Sequence, residues 1–324
     1  CIVNGMVLAD DGQKMSKSLQ NYPPPDEVLN ELGADALRAY LINSPIVRAD
    51  SLRFSKDGVR EVVRTVMLPL RNSWSFFTLY ANIDGWHPTT GLPGVETPAV
   101  ADRPELDRWI LSVLQSLIRE VNEQMEGYYL YNVVPPMLAF IDDLTNWYIR
   151  RSRRRFWRSA ADAEGKADKA SAYATLYEVL TTFAKVTAPV LPFISEALYQ
   201  HLVVKPCEGA LDSVHLCDYP QVNADLIDAD LEAQITAVRA VVRMGRALRE
   251  RHRLKIRQPL RKVTVVHHES SVCQMLQHHA DLVCEELNVK SLATSSSDTD
   301  LATLSFKANF CLLYTSPSPR DRYG

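Results

Sequence analysis

The sequence predicts a mainly α-helical protein. A helical bundle is preceded by a short strand-and-loop segment and followed by a small, partial α/β unit. Two observations carry this. Apolar residues recur at helical spacing in several long stretches from Gly58 onward, separated by proline- and glycine-rich breaks. Alternation at the strand period is confined to short runs near the two ends.

Taken in order, residues 2–8, IVNGMVL, read as two short strands about Asn4-Gly5, a dipeptide that favours a tight hairpin turn. The loop GQKMSKSLQN follows, at 12–21, and then YPPPDEVLNELGADALRAYLINS. Its prolines cannot lie inside a helix. Asp26 is suited to cap the next helix through its backbone N–H groups. Val28, Leu29 and Leu32 give that helix an apolar face, Gly33 ends it, and Asp35 starts another carrying Leu37, Tyr40 and Leu41. From Gly58 a helix runs through Val62, Leu70, Trp74, Phe77 and Tyr80, with a kink expected at Pro69. Residues 84–104 are a Gly/Pro-rich loop. Helices resume at ELDRWILSVLQSLIREVNEQMEGY, then over about 131–158 and 171–187, the last ending at Pro189 and Pro192, and again at ISEALYQHLV. Their leucine and aromatic stripes are bundle core. Residues 206–227 read as an irregular connector, 229–253 as a charged helix, KVTVVHH as a strand, HADLVCEELNV as a short helix and LATLSFKA as a strand.

The chain has 324 residues, 46% apolar and 23% charged, with a net charge of −3. The length suggests about two domains. The net charge predicts no polyanion partner, so local charge must decide. Six cysteines, at 1, 207, 217, 273, 284 and 311, include no CxxC pair and suggest no disulfide framework. A reduced, cytoplasmic compartment fits them. A zinc reading would recruit Cys273, His278, His279 and Cys284, but their spacing is not that of paired structural ligands, and no zinc site is expected. No run of about 18 apolar residues is present, so no membrane-spanning helix is expected. The start, CIVNGMVLAD, is not a signal peptide, lacks an initiator Met and reads as cut at its front.

Two cationic stretches stand out. WYIRRSRRRFWR, at 147–158, holds six arginines, and Arg150, Arg154 and Arg158 fall on one helical face while Tyr148 and Phe156 can face the core. Like charges at that spacing repel, so the ridge needs counter-charge from carboxylates such as Asp142 and Asp143, or from a phosphate backbone whose geometry suits guanidinium. Flanking Trp147 and Trp157 could stack on exposed bases. A solvated face remains the alternative. RMGRALRERHRLKIRQPLRK, at 243–262, has seven arginines and two lysines against Glu250, with arginines 243, 246, 249 and 253 at helical spacing; a solvated helix and a polyanion surface are equally open there. In the 12–21 loop, Lys14 and Lys17 are point charges on long stems beside the hydroxyls of Ser16 and Ser18. Such a set can clamp charge developing on a polyphosphate, although a plain polar loop would look the same.

KMSKS, at 14–18, together with its flanks DDGQ and LQNYPPPDEVLNELGADALRAYL, resembles the second signature of the class I aminoacyl-tRNA synthetases. FIDDLTNWYIRRSRRRFW, APVLPFISEALYQHL, VHLCDYP and LRERHRLKIRQPL resemble the isoleucyl-tRNA synthetases within that class, from Cys1 to about Phe310, with the valyl enzymes sharing the architecture. The resemblance implies the end of a Rossmann-type catalytic domain over 1–55 and a helical anticodon-binding domain over 56–205. A connector with a basic helix would follow over 206–260, then a partial C-terminal α/β domain over 261–310. It implies ATP and isoleucine as substrates, Mg2+ with the nucleotide, and tRNA(Ile) as partner. Lys17 would contact the ATP phosphates, Lys14 would support the loop and the transition-state charge, and Ser16 and Ser18 would shape it. Trp147, Arg150, Arg151, Arg154 and Arg158 are the expected tRNA contacts. The family's first signature, its amino-acid pocket and its editing domain are absent, so the chain alone is expected to be inactive. CLLYTSPSPRD, from 311, departs from the family and reads as translated sequencing adapter, making 311–324 an artefact. A stand-alone tRNA-binding module with no ligase activity is the alternative of a different class.

Overall fold

A computed structural model of the chain describes residues 3–158 and 162–296. The expected strand LATLSFKA and the 311–324 segment lie outside the described residues. The chain divides into two units, Cys1–Glu232 and Ala233–Gly324.

The first unit opens with strand β1 (Val7–Leu8), which pairs in parallel with β2 (Leu52–Arg53). Parallel partners need a long crossover, and helices α1 (Pro25–Leu32) and α2 (Ala34–Ile42) supply it. This corrects the expected Asn4-Gly5 hairpin. The tight antiparallel turn lies later, where Ala9 N donates to Gln13 O at 2.8 Å. Gly5 is needed for a different reason: its N–H bonds Ile46 O, and a Cβ there would collide with the Asp50 backbone.

Helix α1 starts at Pro25 with no side-chain cap, so Asp26 does not cap it and instead lies in its first turn, where a carboxylate still favours the helix dipole. Gly33 ends α1 as expected, at φ 84° with its N–H on Leu29 O. Asp35 is the capping carboxylate, but of a helix far along the chain. Buried at 3% exposure, it accepts from Phe193 N (3.3 Å) and Ile194 N (2.7 Å). These amides open α9 (Pro192–Tyr199). Arg38, one turn on, donates to Val190 O (3.1 Å) and Pro189 O (2.8 Å). Asp35→Ala is expected to cost about 1–2 kcal/mol, the upper range of a cap deletion because one carboxylate serves two amides; Asp35→Asn should recover much of it in a thermal melt.

The bundle follows. Helix α3 (Lys56–Val62) passes through a π-helical turn, Val63–Met67, into α4 (Leu68–Asp84). Pro69 has no N–H to give Thr65 O, which accounts for the break falling in the turn just before it. Helix α5 (Glu105–Glu126) is continuous. Helix α6 (Val134–Asp142) runs through a second π turn, Asp143–Ile149, into α7 (Arg150–Trp157). Helix α8 (Ala163–Thr187) starts earlier than its apolar period suggests, because Asp162 caps it through Gly165 N at 2.8 Å. Trp109, Ile110, Leu114 and Ile118 of α5 are buried, as are Phe140 of α6, Tyr173, Leu176 and Phe183 of α8, and Leu70 and Phe77 of α4. Each such side chain contributes about 1.5–3 kcal/mol by leaving water.

Helix α10 (Ala229–Arg251) begins in the first unit and continues into the second. In the second unit β3 (Val263–Val266) pairs in parallel with β4 (Leu292–Ser295) through α11 (Ser270–His278) and α12 (Ala280–Leu287). The sequence pattern predicts β3 and α12 but neither α11 nor β4.

Candidate functional site

The lysine loop lies between β1 and α1. Asn21 holds its two arms together: its Oδ1 accepts from Ser16 N at 2.9 Å and its Nδ2 donates to Lys14 O at 3.2 Å. Lys14 also bridges back to Leu8. Ser16 and Ser18 share a hydroxyl–hydroxyl bond of 2.8 Å across the turn. Met15 is half-buried and lines a recess of about 300 Å³ with Tyr22 and Phe54. The two lysines are exposed and make no ion pair among the described residues. The loop therefore anchors its backbone and its methionine and leaves both cations and a hydroxyl pair facing outward. Asn21 is the residue that the sequence does not single out; nothing in its spacing distinguishes a clamp from a loop amide.

The arginine helix is sorted by burial. Arg153, Arg154 and Arg158 are exposed, and Arg150 and Arg151 are half-exposed. Arg150 and Arg151 lie over the Trp147 ring, at 5.8 and 5.7 Å from its centroid, and Arg150 Nε donates to Asn146 O at 2.7 Å. Trp147 itself is only 5% exposed. It supports the arginines from beneath and offers no open face to a base, a correction to the aromatic contact expected there. Trp157, at 56% exposure, is the accessible ring. Tyr148 and Phe156 face the core, as the helical spacing requires.

Arg155 leaves the ridge altogether. Its Nη1 and Nη2 donate to the two oxygens of Asp107, each at 2.7 Å, and Nη2 pairs with Asp168 at 2.9 Å. Asp107 is fully buried and also accepts from Tyr148 Oη at 2.7 Å. Burial disfavours the Arg155 cation, but the bonds and charge of Asp107 outweigh it and raise its pKa further. Burial, then the Asp107 charge, pushes the Tyr148 phenol well above its ordinary value. Nearby, Lys169 pairs with Asp84 at 2.6 Å, and that carboxylate also accepts from Tyr173 Oη.

Two of the four residues of the zinc reading, Cys273 and His279, make hydrogen bonds of their own. Cys273 Sγ donates to His267 O at 3.5 Å, and buried His279 bonds Gln234 Oε1 through Nε2 at 3.1 Å. His278 is exposed, and burial holds the Cys284 thiol above its ordinary pKa.

Comparison with known proteins adds independent observations. Residues 1–53 match the family described as tRNA synthetases class I (I, L, M and V), and residues 107–264 match the anticodon-binding domain of tRNA ligase. The isoleucine–tRNA ligase of Treponema denticola is 46% identical over 319 residues, covering 97% of this chain and 28% of that protein. That of Chlamydia trachomatis serovar L2b is 47% identical over 311 residues, covering 95% of this chain and 28% of that protein. The chain thus spans under a third of these relatives' length. Mycobacterium tuberculosis methionyl-tRNA synthetase in complex with methionyl-adenylate shares the fold at 17% identity, with a TM-score of 0.50 over 67% of this chain and 43% of that one. Near-complete coverage of the chain by such relatives, with two family domains in the order that the KMSKS loop and arginine helix require, places it among the class I tRNA synthetases as a homologue of the isoleucine–tRNA ligases.

Proposed function

We propose that the chain is part of an isoleucine–tRNA ligase, which activates isoleucine with ATP and transfers it to tRNA(Ile) in the cytoplasm. The carrying observation is the identity of 46% over 97% of the chain. Both relatives described are isoleucine enzymes, which favours this reading over a valine enzyme. In this reading residues 1–55 end the catalytic domain, 56–205 hold the tRNA stem, 206–260 connect, and 261–310 begin a further α/β domain. Lys17 reaches the ATP phosphates, and Lys14 steadies the loop and the developing charge. The Ser16–Ser18 pair shapes the turn between them. Mg2+ arrives with the nucleotide, and no residue of this chain is assigned to it. No helix among the described residues is long and apolar enough to cross a membrane.

The tRNA contacts are Arg150, Arg151, Arg154 and Arg158. Trp147 acts beneath Arg150 and Arg151, stacking on the guanidinium groups rather than on a base. Guanidinium forks suit phosphate oxygens, and removing one arginine–phosphate pair should lower the salt slope of binding by about one. Arg150→Ala with Arg154→Ala is therefore expected to weaken binding of a tRNA(Ile) transcript roughly ten- to hundred-fold near 0.1 M salt and to lower the slope by about two. Unchanged affinity and slope would remove this face from the interface.

The 324-residue chain by itself is expected to support no isoleucine-dependent ATP–pyrophosphate exchange. It spans 28–29% of its relatives, and only residues 1–53 match the class I catalytic family. Exchange above that of a Lys17→Ala control would overturn this.

A further inference from the structure

The second unit carries a cationic surface to which the proposed function assigns no role. Residues 251–262, RHRLKIRQPLRK, contain Arg251, Arg253, Lys255, Arg257, Arg261 and Lys262, and no acid. All six are exposed, and none makes an ion pair among the described residues. The spacing of arginines 243, 246, 249 and 253 predicts one continuous helical face, and the structure departs from it at two of the four. Helix α10 ends at Arg251, and Arg253 has the left-handed φ of 54°. Arg249, near the helix end, is buried at 6% exposure and pairs with no carboxylate among the described residues. Its guanidinium instead donates to the backbone carbonyls of Leu287 (3.3 Å), Lys255 (2.5 Å) and Gln258.

That clasp is one of several. Asn288 Nδ2 donates to Ile256 O at 3.0 Å, Leu260 N to Asn288 O at 3.1 Å, and Lys290 N to Leu260 O at 3.0 Å. The backbone of 255–260 is thus tied inward at four positions while its cationic side chains point out. A fixed backbone gives the cluster no way to spread its charges apart, so mutual repulsion persists unless an anion neutralises it. A backbone already tied also loses little further freedom on binding one.

We infer that Arg251, Arg253, Lys255 and Arg257 form an RNA-backbone contact of their own, held in position by Arg249. The inference rests on the tRNA reading for the identity of the RNA. Guanidinium dominates the cluster, and its planar fork matches phosphate oxygens. The segment is a carbonyl-tied loop rather than an amphipathic helix, so it lacks the form of an element that lies in a membrane surface. Ile256, 43% exposed between Lys255 and Arg257, adds an apolar contact suited to a sugar or base face.

The test uses the 324-residue chain and its Lys255→Ala/Arg257→Ala variant. Both residues are exposed and make no ion pair among the described residues, so thermal stability should not fall. Binding is read by fluorescence anisotropy against a tRNA(Ile) transcript, an oligouridylate of about 20 nucleotides and phosphatidylserine-containing vesicles, over a salt series. The variant should bind the transcript roughly ten- to hundred-fold more weakly near 0.1 M salt, with a slope smaller by about two. Lys255→Arg should bind like the wild type. Unchanged affinity and slope would overturn the inference, as would vesicle binding that the variant abolishes while RNA binding survives. The Arg150→Ala/Arg154→Ala variant separates the two readings. A fall in transcript binding there, with none in the loop variant, sinks only the loop. Loop-dependent binding of oligouridylate without any preference for the transcript sinks the tRNA reading and keeps the loop.

Discussion

Asp107→Ala is expected to destabilise the first unit by about 3–5 kcal/mol, the cost of removing one partner from a buried ion pair. Asp107 is fully buried and receives three bonds of 2.7 Å, two from Arg155 and one from Tyr148. Its removal leaves Arg155, 14% exposed at the side chain, with Asp168 as its remaining carboxylate, and leaves the Tyr148 hydroxyl buried without its acceptor. The denaturation midpoint should fall with little change in the denaturant slope, since the same surface is exposed on unfolding. Asp107→Asn keeps the shape and one acceptor but loses the charge, so it should lie between. A cost below about 1 kcal/mol for the alanine variant would show that the three bonds roughly balance their desolvation. The network also bears on the proposed RNA contact. Asp107 takes Arg155 out of the arginine run, while Arg154, about 100° round the helix, stays outside. The alanine variant should therefore lose stability first and RNA affinity second.

Lys17→Ala is expected to have the largest catalytic effect. Its setting is a full-length enzyme in which this chain replaces the matching segment of the Treponema denticola isoleucine–tRNA ligase. Phosphoryl chemistry of this kind is catalysed by positioning and charge rather than by covalent help from the protein. A preorganised donor aimed at developing charge supplies about 10²–10³ in rate when present. Isoleucine-dependent pyrophosphate exchange should fall by that factor, chiefly in kcat, because deleting an interaction strongest in the transition state lowers kcat and kcat/KM together. Lys14→Ala should cost less. Its side chain is equally exposed, but its backbone is fixed by Asn21 and by the bridge to Leu8, and that part of its role survives truncation. A Lys17→Ala rate within a factor of about three of the parent would rule the lysine out of the clamp.

Part of the fold and of the site is legible in single residues and their near neighbours. Gly33 ends α1 because a left-handed position after a helix favours glycine, and that is a property of one residue. Tyr148 and Phe156 face inward because helical geometry places them so, and the bundle core follows from the same period. The KMSKS loop is readable as a cation-bearing turn. These are short-range facts, fixed by spacing and backbone preference within a few residues.

Other outcomes depend on partners far along the chain. Asp35 has the look of a residue starting its own helix, yet its carboxylate binds amides 158 and 159 residues away. Gly5 has the look of a hairpin residue, yet it is required by the approach of the Asp50 backbone. Trp147, Arg155 and Arg249 read as members of cationic, outward faces. Burial against other elements turns the ring under two arginines, one guanidinium onto Asp107 and the other onto three carbonyls. The sequence by itself determined the helices, the loop and the surplus of arginine. The tertiary structure alone decided which arginines remain outside, because a buried cation persists only where the fold brings it an anion or enough carbonyl oxygens, and spacing along the chain does not encode that meeting.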